Sequence, residues 1–249
     1  VTNSELRTSP SSDALVSVKE GANPKVVEMF DRISSTYDKL NRFFSLGVDR
    51  IWRKSAVKSL KLQPGMKILD CSAGTGDMAF EAHKQCPGVH TTLFDPAAKM
   101  LMLADEKAKQ LGVSGYDLKC GAAEKIDVPN GDYDRFMVAF GIRNFRDLLG
   151  GLTELNRILK PGGTGVILEF TPDRSKFIDK IFKFYMWWVM RPVGGAVSDD
   201  REAYKYLAET IQKFPSSDKL LEIFKQAGFS KVEAVPLSLG IATRFLLTK

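Results

Sequence analysis

The segment from Ile68 to Asp95 constrains this chain more than any other. Lys67-Ile68-Leu69-Asp70 is a short apolar strand that ends in an acid. Cys71-Ser72-Ala73-Gly74-Thr75-Gly76-Asp77 is a loop of small residues, and Met78 to His83 opens a helix. A second apolar run, Val89 to Phe94, ends at Asp95. Strand, glycine loop, helix and a second acid-terminated strand form the start of a nucleotide-binding βαβ unit. The glycines let a ligand approach the backbone, and the second acid grips both ribose hydroxyls.

Two cofactors satisfy that pattern. Gly74-Thr75-Gly76-Asp77-Met78-Ala79 fits G-x-G-x-x-G/A, the fingerprint of a nicotinamide dinucleotide, so the glycines alone do not decide. The acids favour S-adenosylmethionine, because Asp70 before the loop and Asp77 after it would repel a pyrophosphate. S-adenosylmethionine offers an ammonium, a sulfonium and a ribose instead. On this reading Asp70 lies near the ammonium, directly or through water, and Asp95 holds the ribose. Gly74, Thr75 and Gly76 form the loop that receives the donor. A strand–helix turn with no ligand is the plain alternative, disfavoured by an Asp at the end of both strands.

The rest of the chain repeats the alternation. Strands are expected near Met66–Cys71, His90–Asp95, Tyr116–Cys120, Arg135–Phe140 and Thr164–Phe170. Helices are expected near Asp77–Cys86, Ala97–Leu111 and Leu148–Leu159, the last stopped by Lys160-Pro161-Gly162-Gly163. A helix over Ser217–Ala227 and strands over Ser230–Pro236 and Ile241–Thr248 close the pattern. This predicts an α/β fold with a doubly wound, mostly parallel seven-stranded sheet. Helical spacing over Lys25–Tyr37 and Arg42–Leu60 predicts an N-terminal cap (24–62), and 171–214 reads as a helical insertion before the last helix and strands. The folded domain then spans 24–249. The Ser-rich segment Val1 to Asn23 reads as a disordered tail.

At 249 residues and 44% hydrophobic, the chain builds one large core. Its net charge of +6 permits an anionic surface as partner without requiring one. Cys71, Cys86 and Cys120 lack C-x-x-C spacing and read as thiols of a reducing interior compartment. His83 and His90 form no metal motif, so no metal is expected. No run of about 18 uncharged apolar residues suggests a span. A dense basic run with stacking aromatics is missing, which disfavours nucleic acid.

A family likeness covers nearly the whole ordered chain. Phe30-Asp31-x-Ile33 and Tyr37-Asp38-x-x-Asn41-x-x-x-Ser45-x-Gly47-x-x-x-x-Trp52-Arg53 resemble the N-terminal signature of the ubiquinone/menaquinone biosynthesis C-methyltransferases. Phe140-Gly141-Ile142-Arg143-Asn144 resembles the family's second signature, and Arg157 to Gly163 running on to Glu169-Phe170-Thr171 its third. Arg201-Glu202-Ala203-Tyr204-x-Tyr206-Leu207 and Phe214-Pro215 resemble its late region. The resemblance implies methylation of a ring carbon of a polyprenylated benzoquinol or naphthoquinol, with S-adenosylmethionine as donor. Ala122, Ala123 and Ala139 would line the donor site. Three positions depart from the pattern: Asp49 where the family has His, Ala122 where it has Asn or Asp, and Ala139 where it has Ser.

Methylating a ring carbon requires an electron-rich ring, which a quinol becomes on losing a hydroxyl proton. That hydroxyl has an ordinary pKa of about 10, so the protein must stabilise the phenolate. Arg143, permanently charged and just past the fourth strand, would lower it, with a water as proton carrier, and Asn144 would orient the hydroxyl. An arginine capping a strand end or pairing with Asp147 is the alternative. Tyr37 orders the substrate, packs beside the sulfonium, or is a core tyrosine.

Lys176 to Arg191 is the second unusual segment. At 100° per residue Lys176, Lys180, Lys183 and Arg191 share one face, while Ile178, Ile181, Phe182, Tyr185, Trp188 and Val189 spread over the other. The segment suits a lid over a prenyl tail, a contact with a membrane surface, or a core-facing helix with a solvated basic face. The expected partners are a lipid-soluble quinol, the membrane periphery, a quinone-biosynthesis complex and a second copy of the chain. The expected place is the matrix side of the mitochondrial inner membrane in a eukaryote, or the cytoplasm in a bacterium. Competing readings are a methyltransferase acting on another isoprenoid, and a non-catalytic scaffold of the same fold.

Overall fold

The computed structural model describes Leu15, residues 21–185, Trp187, Trp188 and residues 201–249. Arg191, Val189 and most of the expected tail lie outside those residues. The chain runs α1 (Pro24–Ser45), α2 (Val48–Ser59), β1 (Lys67–Cys71), α3 (Asp77–Gln85), β2 (His90–Asp95), α4 (Ala98–Leu111) and β3 (Tyr116–Cys120). It continues with β4 (Tyr133–Ala139), a 3-10 turn (Ile142–Asn144), α5 (Leu148–Ile158), β5 (Leu159–Phe170), α6 (Lys176–Tyr185) and α7 (Arg201–Lys213). It closes with α8 (Ser217–Gln226), β6 (Lys231–Leu237) and β7 (Ala242–Thr248).

The seven strands lie in the order β3-β2-β1-β4-β5-β7-β6. The first five are parallel, and β7 pairs antiparallel with both β5 and β6. The order reverses between β1 and β4, so a crevice opens above their C-terminal ends, where open α/β sheets bind ligands. One face is covered by α5 and α8, with Leu155, Ile158, Leu220 and Phe224 packed on Phe136 and Phe245. On the other face Ala56 and Val57 of α2 and Met78 of α3 pack on Ile68, Met137 and Val166. Thus α2 packs directly on the sheet.

Three boundaries differ from the sequence expectation, each for a physical reason. First, α1 runs unbroken through the polar stretch at Asp38, and the break comes at Leu46 and Gly47, with φ of 51° and 77°. Within the helix the Asp38 carboxylate accepts a hydrogen bond from Thr75 Oγ1 at 2.6 Å. Second, β5 begins at Leu159, which pairs with Tyr133 before the register shifts to Arg135↔Thr164. Lys160-Pro161-Gly162-Gly163 is therefore a bulge within the strand, with Gly162 at φ 72°. Third, β6 ends at Leu237 and carries Pro236 on the sheet edge, where a missing N–H is tolerated.

The cap helix and the insertion form one roof. Val26, Met29, Ile33 and Phe44 of α1 share a buried cluster with Phe182 of α6 and Ala203, Ala208 and Ile211 of α7. The Tyr185 hydroxyl donates to the Phe44 carbonyl at 2.7 Å. Trp52 is buried, and its Nε1 donates to Ser238 Oγ at 3.0 Å. On α6 only Phe182 is fully buried. Phe177 (70% exposed), Ile181 (52%), Phe184 (63%) and Trp188 (72%) form a stripe open to solvent. Ile181 and Trp188, expected on the same face as Phe182, lie instead on this open stripe.

In the sheet Gly165 of β5 pairs with Phe136 of β4, and a Cβ on Gly165 would fall 2.1 Å from the Phe136 ring. That ring is fully buried and abuts Phe229, with ring centroids 6.0 Å apart, so it has nowhere to move. Gly165→Ala should therefore destabilise the fold by about 1–3 kcal/mol, the usual penalty of overpacking. A lower midpoint in urea denaturation is expected, and an unchanged midpoint would refute the packing argument.

Candidate active site

An open cleft lies in the crevice, at the place where open α/β sheets bind small molecules. Gly74, Asp95, Ala122, Ala123 and Ala139 line it, as do Tyr37 and Asn144. Asp70, Thr75 and Gly76, expected to bind the donor, stand behind this wall. Residues not singled out in the sequence also line it, among them Ser72, Met100, Glu124 and Phe140. Ala22 and Asn23, at the end of the expected tail, close one side, with Ala22 buried against the cluster holding Val27, Ala97, Met100 and Ala122.

Asp95 organises the donor side. Its Oδ2 accepts from the Gly74 N–H at 2.9 Å and its Oδ1 from the Ala97 N–H at 2.9 Å. One carboxylate thus fixes the glycine loop against the end of β2. Burial pushes Asp95 up to about 6, against the hydrogen bonds from Ala97 and Gly74. Asp70 is buried, accepts from the Ala79 N–H at 3.0 Å, and is pushed up to about 7 by burial.

Two glycines of the loop do different work. At Gly74 a Cβ would meet nothing within 4 Å, leaving room over the backbone. At Gly76 (φ 82°) a Cβ would lie 2.7 Å from Phe80 and 2.9 Å from Leu93, so this glycine lets α3 close on the sheet. Thr75 Oγ1 donates to Asp38 Oδ1 and so ties the loop to α1. Lys107 Nζ bridges Asp38, at 2.9 Å, and Asp77, and Arg42 lies 3.8 Å from Asp77. Burial alone would raise Asp77, but Arg53, Lys107 and Arg42 hold it below the usual carboxylate range. Asp77 is therefore paired, while Asp70 lies buried at the end of β1.

The acceptor side is built around Arg143. Its side chain is 5% exposed and pairs through Nη1 with Glu169 Oε1 at 2.8 Å. The same Nη1 donates to the Phe140 carbonyl at 2.5 Å. The partner is thus Glu169 and not Asp147, which instead caps α5 by accepting from the Gly150 N–H at 3.0 Å. Arg143 Nε is buried with no hydrogen-bond partner. The guanidinium is held by one nitrogen; Arg143 itself does not line the cleft, whereas its neighbours Phe140, Gly141 and Asn144 do. Glu169 is fully buried, and burial holds its carboxyl above the ordinary range, with Arg143 opposing. An acid ending the otherwise apolar run Val166–Leu168 was the sequence signal for such a partner.

Tyr37 is half-buried, edge-on to Phe30 with ring centroids 5.9 Å apart. Burial raises its phenol, against the nearby charges of Arg53 and Arg143 and a hydrogen bond with Asn41. Asn144 follows Arg143 in the turn, and its Oδ1 accepts from the Tyr206 hydroxyl at 3.1 Å. Two bulky or polar residues on this rim, Ser72 (φ 55°) and Phe140 (φ 58°), stand in the left-handed region, a strain of about 1–3 kcal/mol each. Asp49 is buried, accepting from Ser45 Oγ at 2.5 Å and lying 3.6 Å from Arg53 Nε. Among the described residues no three His, Cys, Asp or Glu side chains could hold a metal.

Comparison with known proteins agrees with this geometry. Residues 17–249 match the ubiE/COQ5 methyltransferase family. A ubiquinone/menaquinone biosynthesis C-methyltransferase of Geotalea daltonii is 39% identical over 221 residues, covering 88% of this chain and 94% of that protein. A demethylmenaquinone methyltransferase of Deinococcus radiodurans is 38% identical over 226 residues, covering 90% and 92%. A SAM-dependent methyltransferase structure from Thermotoga maritima superposes with a TM-score of 0.63 at 19% identity, covering 89% of this chain and 98% of that one. Another, from Aquifex aeolicus, gives a TM-score of 0.56 at 19% identity, covering 79% and 88%. These two structures speak for the fold, and the sequence matches speak for more: the chain belongs to the ubiE/COQ5 methyltransferase family.

Proposed function

We propose that this chain methylates a ring carbon of a polyprenylated quinol, as the names of its relatives suggest for them. The observation that carries the proposal is Arg143, anchored by Nη1 to Glu169 beside the donor cleft, with Nε buried and unpartnered. S-adenosylmethionine, when bound, supplies an electrophilic methyl group. Asp95 would hold its ribose, the open backbone at Gly74 would receive its amino-acid end, and Ala122 and Ala123 would floor its base.

The protein's own part is to make the acceptor ring nucleophilic. Arg143, next to the cleft-lining Asn144, would stabilise a forming phenolate oxygen with its fixed positive charge, and the quinol proton would leave through water. Glu169 keeps the guanidinium from turning away. The paired aromatic rings of Phe140 and Phe170, with centroids 4.6 Å apart, place an apolar wall beside the charge and strengthen it by excluding water. Arg143 also lies over the Phe170 ring, 6.0 Å from its centroid.

A prenylated substrate resides in a bilayer, and α6 offers a surface for it. The stripe of Phe177, Ile181, Phe184 and Trp188 faces solvent beside the exposed Lys176 and Lys180. Lys183 is also exposed but pairs with Asp179 at 2.7 Å. Exposed aromatics beside unpaired lysines match a helix lying in an anionic headgroup layer. Among the described residues no helix is long and apolar enough to cross a membrane. The proposed partner is thus the membrane surface on the side where the quinol is made.

Three outcomes test this reading. Donor affinity should fall as acid protonates Asp95. Its folded value of about 6 lies above the ordinary aspartate value, so the ligand-free fold loses stability as pH rises through 6 while donor binding gains. Calorimetry with S-adenosylhomocysteine should show about a tenfold loss per pH unit below that value, the slope for one proton. Asp95→Asn should bind weakly with that limb removed; a flat profile in the unmodified protein contradicts the assignment.

Arg143→Lys keeps the charge but loses the planar fork. Turnover of a short-tail quinol should drop about 10²–10³-fold, as for loss of an oxyanion donor, with donor affinity unchanged. A fully active Lys variant would make the position structural. At the membrane, Lys176→Glu with Lys180→Glu should weaken sedimentation with anionic vesicles, each lysine contributing on the order of 1 kcal/mol. Phe177→Ser with Trp188→Ser should do the same without lowering the melting temperature, since both side chains are exposed. No vesicle binding by the unmodified protein would rule out this partner.

A further inference from the structure

Tyr206 lies on α7, in the Arg201-to-Leu207 motif to which the methyl-transfer argument gives no task. Its hydroxyl donates to Asn144 Oδ1 at 3.1 Å, linking two residues 62 positions apart in the chain. The ring packs half-buried against the roof cluster of α1, α6 and α7. Burial pushes its phenol up, with Arg143 opposing, so the hydroxyl keeps its proton and acts as a donor.

A carboxamide has one acceptor oxygen and one amino group with two N–H donors. With Oδ1 turned to Tyr206, the amide plane of Asn144 is fixed and Nδ2 points its two donors away from that bond. Nδ2 has no protein partner among the described residues, and Asn144 lines the cleft. A donor in that place favours an ionised ring oxygen over a neutral hydroxyl, because the phenolate is the stronger acceptor. An untethered amide would turn either end to the ligand and lose that preference.

We infer that Tyr206 is a positioning residue: it holds Asn144 so that the amide nitrogen donates to the ionised ring oxygen that Arg143 also stabilises. This rests on the quinol reading above, and it assigns Asn144 the role of donor and Tyr206 the role of tether. The roof helix α7 is thereby coupled to the chemistry, since the pair of donors is complete only when α7 is seated.

The test uses the full chain with S-adenosylhomocysteine bound and a nitrophenol as probe, its ionisation read by absorbance. Tyr206→Phe should raise the pKa of the bound phenol by about one unit, the effect of loosening one hydrogen bond to a charged group. Asn144→Ser, which leaves Tyr206 untouched, should move it the same way. With a short-tail quinol, Tyr206→Phe should lower kcat about tenfold with little change in KM, and shift the acid limb of the pH profile upward. Adding Tyr206→Phe to Asn144→Ala should cost nothing further, because the tether would then hold nothing. Additive losses, an unmoved phenol pKa, or a nitrophenol that neither protein binds would overturn the inference. Should the phenol pKa shift while no quinol is methylated by the unmodified protein, the substrate reading falls and the tether stands.

Discussion

The buried pair of Arg143 and Glu169 is the interaction on which the acceptor half of the site depends. Glu169 is fully buried at the end of β5, and Arg143 is 5% exposed just past β4, so neither charge is answered by solvent. Removing either partner would strand the other in a low-dielectric setting, which is strongly destabilising. The pair is placed at the crevice because parallel pairing of β4 and β5 sets Ala139 beside Leu168, with both loops leaving on the same side. The sheet thus fixes where a cation can stand next to the cleft.

The donor half depends on a simpler device. Asp95 binds the Gly74 and Ala97 N–H groups with separate oxygens, so the loop after β1 and the loop after β2 move as one. Lys107 then ties Asp38 of α1 to Asp77 of α3, fastening the roof to the glycine loop. The departure at Ala122 does not leave a hole, because Ala22 and Val27 pack there. An intact, lined cleft is what a catalyst needs, and it gives the scaffold reading nothing to rest on.

How much of this the sequence shows follows from chain distance. The donor half lies within Ile68–Asp95, and its strand, loop, helix and strand were readable because each is a local pattern. Asp70 and Thr75 show the limit: their residue types suit a ligand, yet their partners are Ala79 N–H and Asp38. The acceptor half gathers Tyr37, Arg143, Glu169 and Tyr206 from four segments. Only family likeness put Arg143 and Asn144 forward; the acid that ends the apolar run Val166–Leu168 hints at a buried partner, and no local pattern foretold Tyr206. For α6, periodicity separated the faces but could not say which one meets the roof. The exposure of Phe177, Phe184 and Trp188 comes from where α1 and α7 sit.

The most direct measurement is the position of the transferred methyl group. The purified protein would be given isotopically labelled S-adenosylmethionine and a reduced, short-tail quinol lacking one ring methyl, and the product resolved by NMR. The account predicts a labelled methyl bonded to ring carbon ortho to a free hydroxyl, because Arg143 and Asn144 hold that oxygen as a bare phenolate. A labelled methyl on oxygen, or no transfer to any quinol, would contradict it.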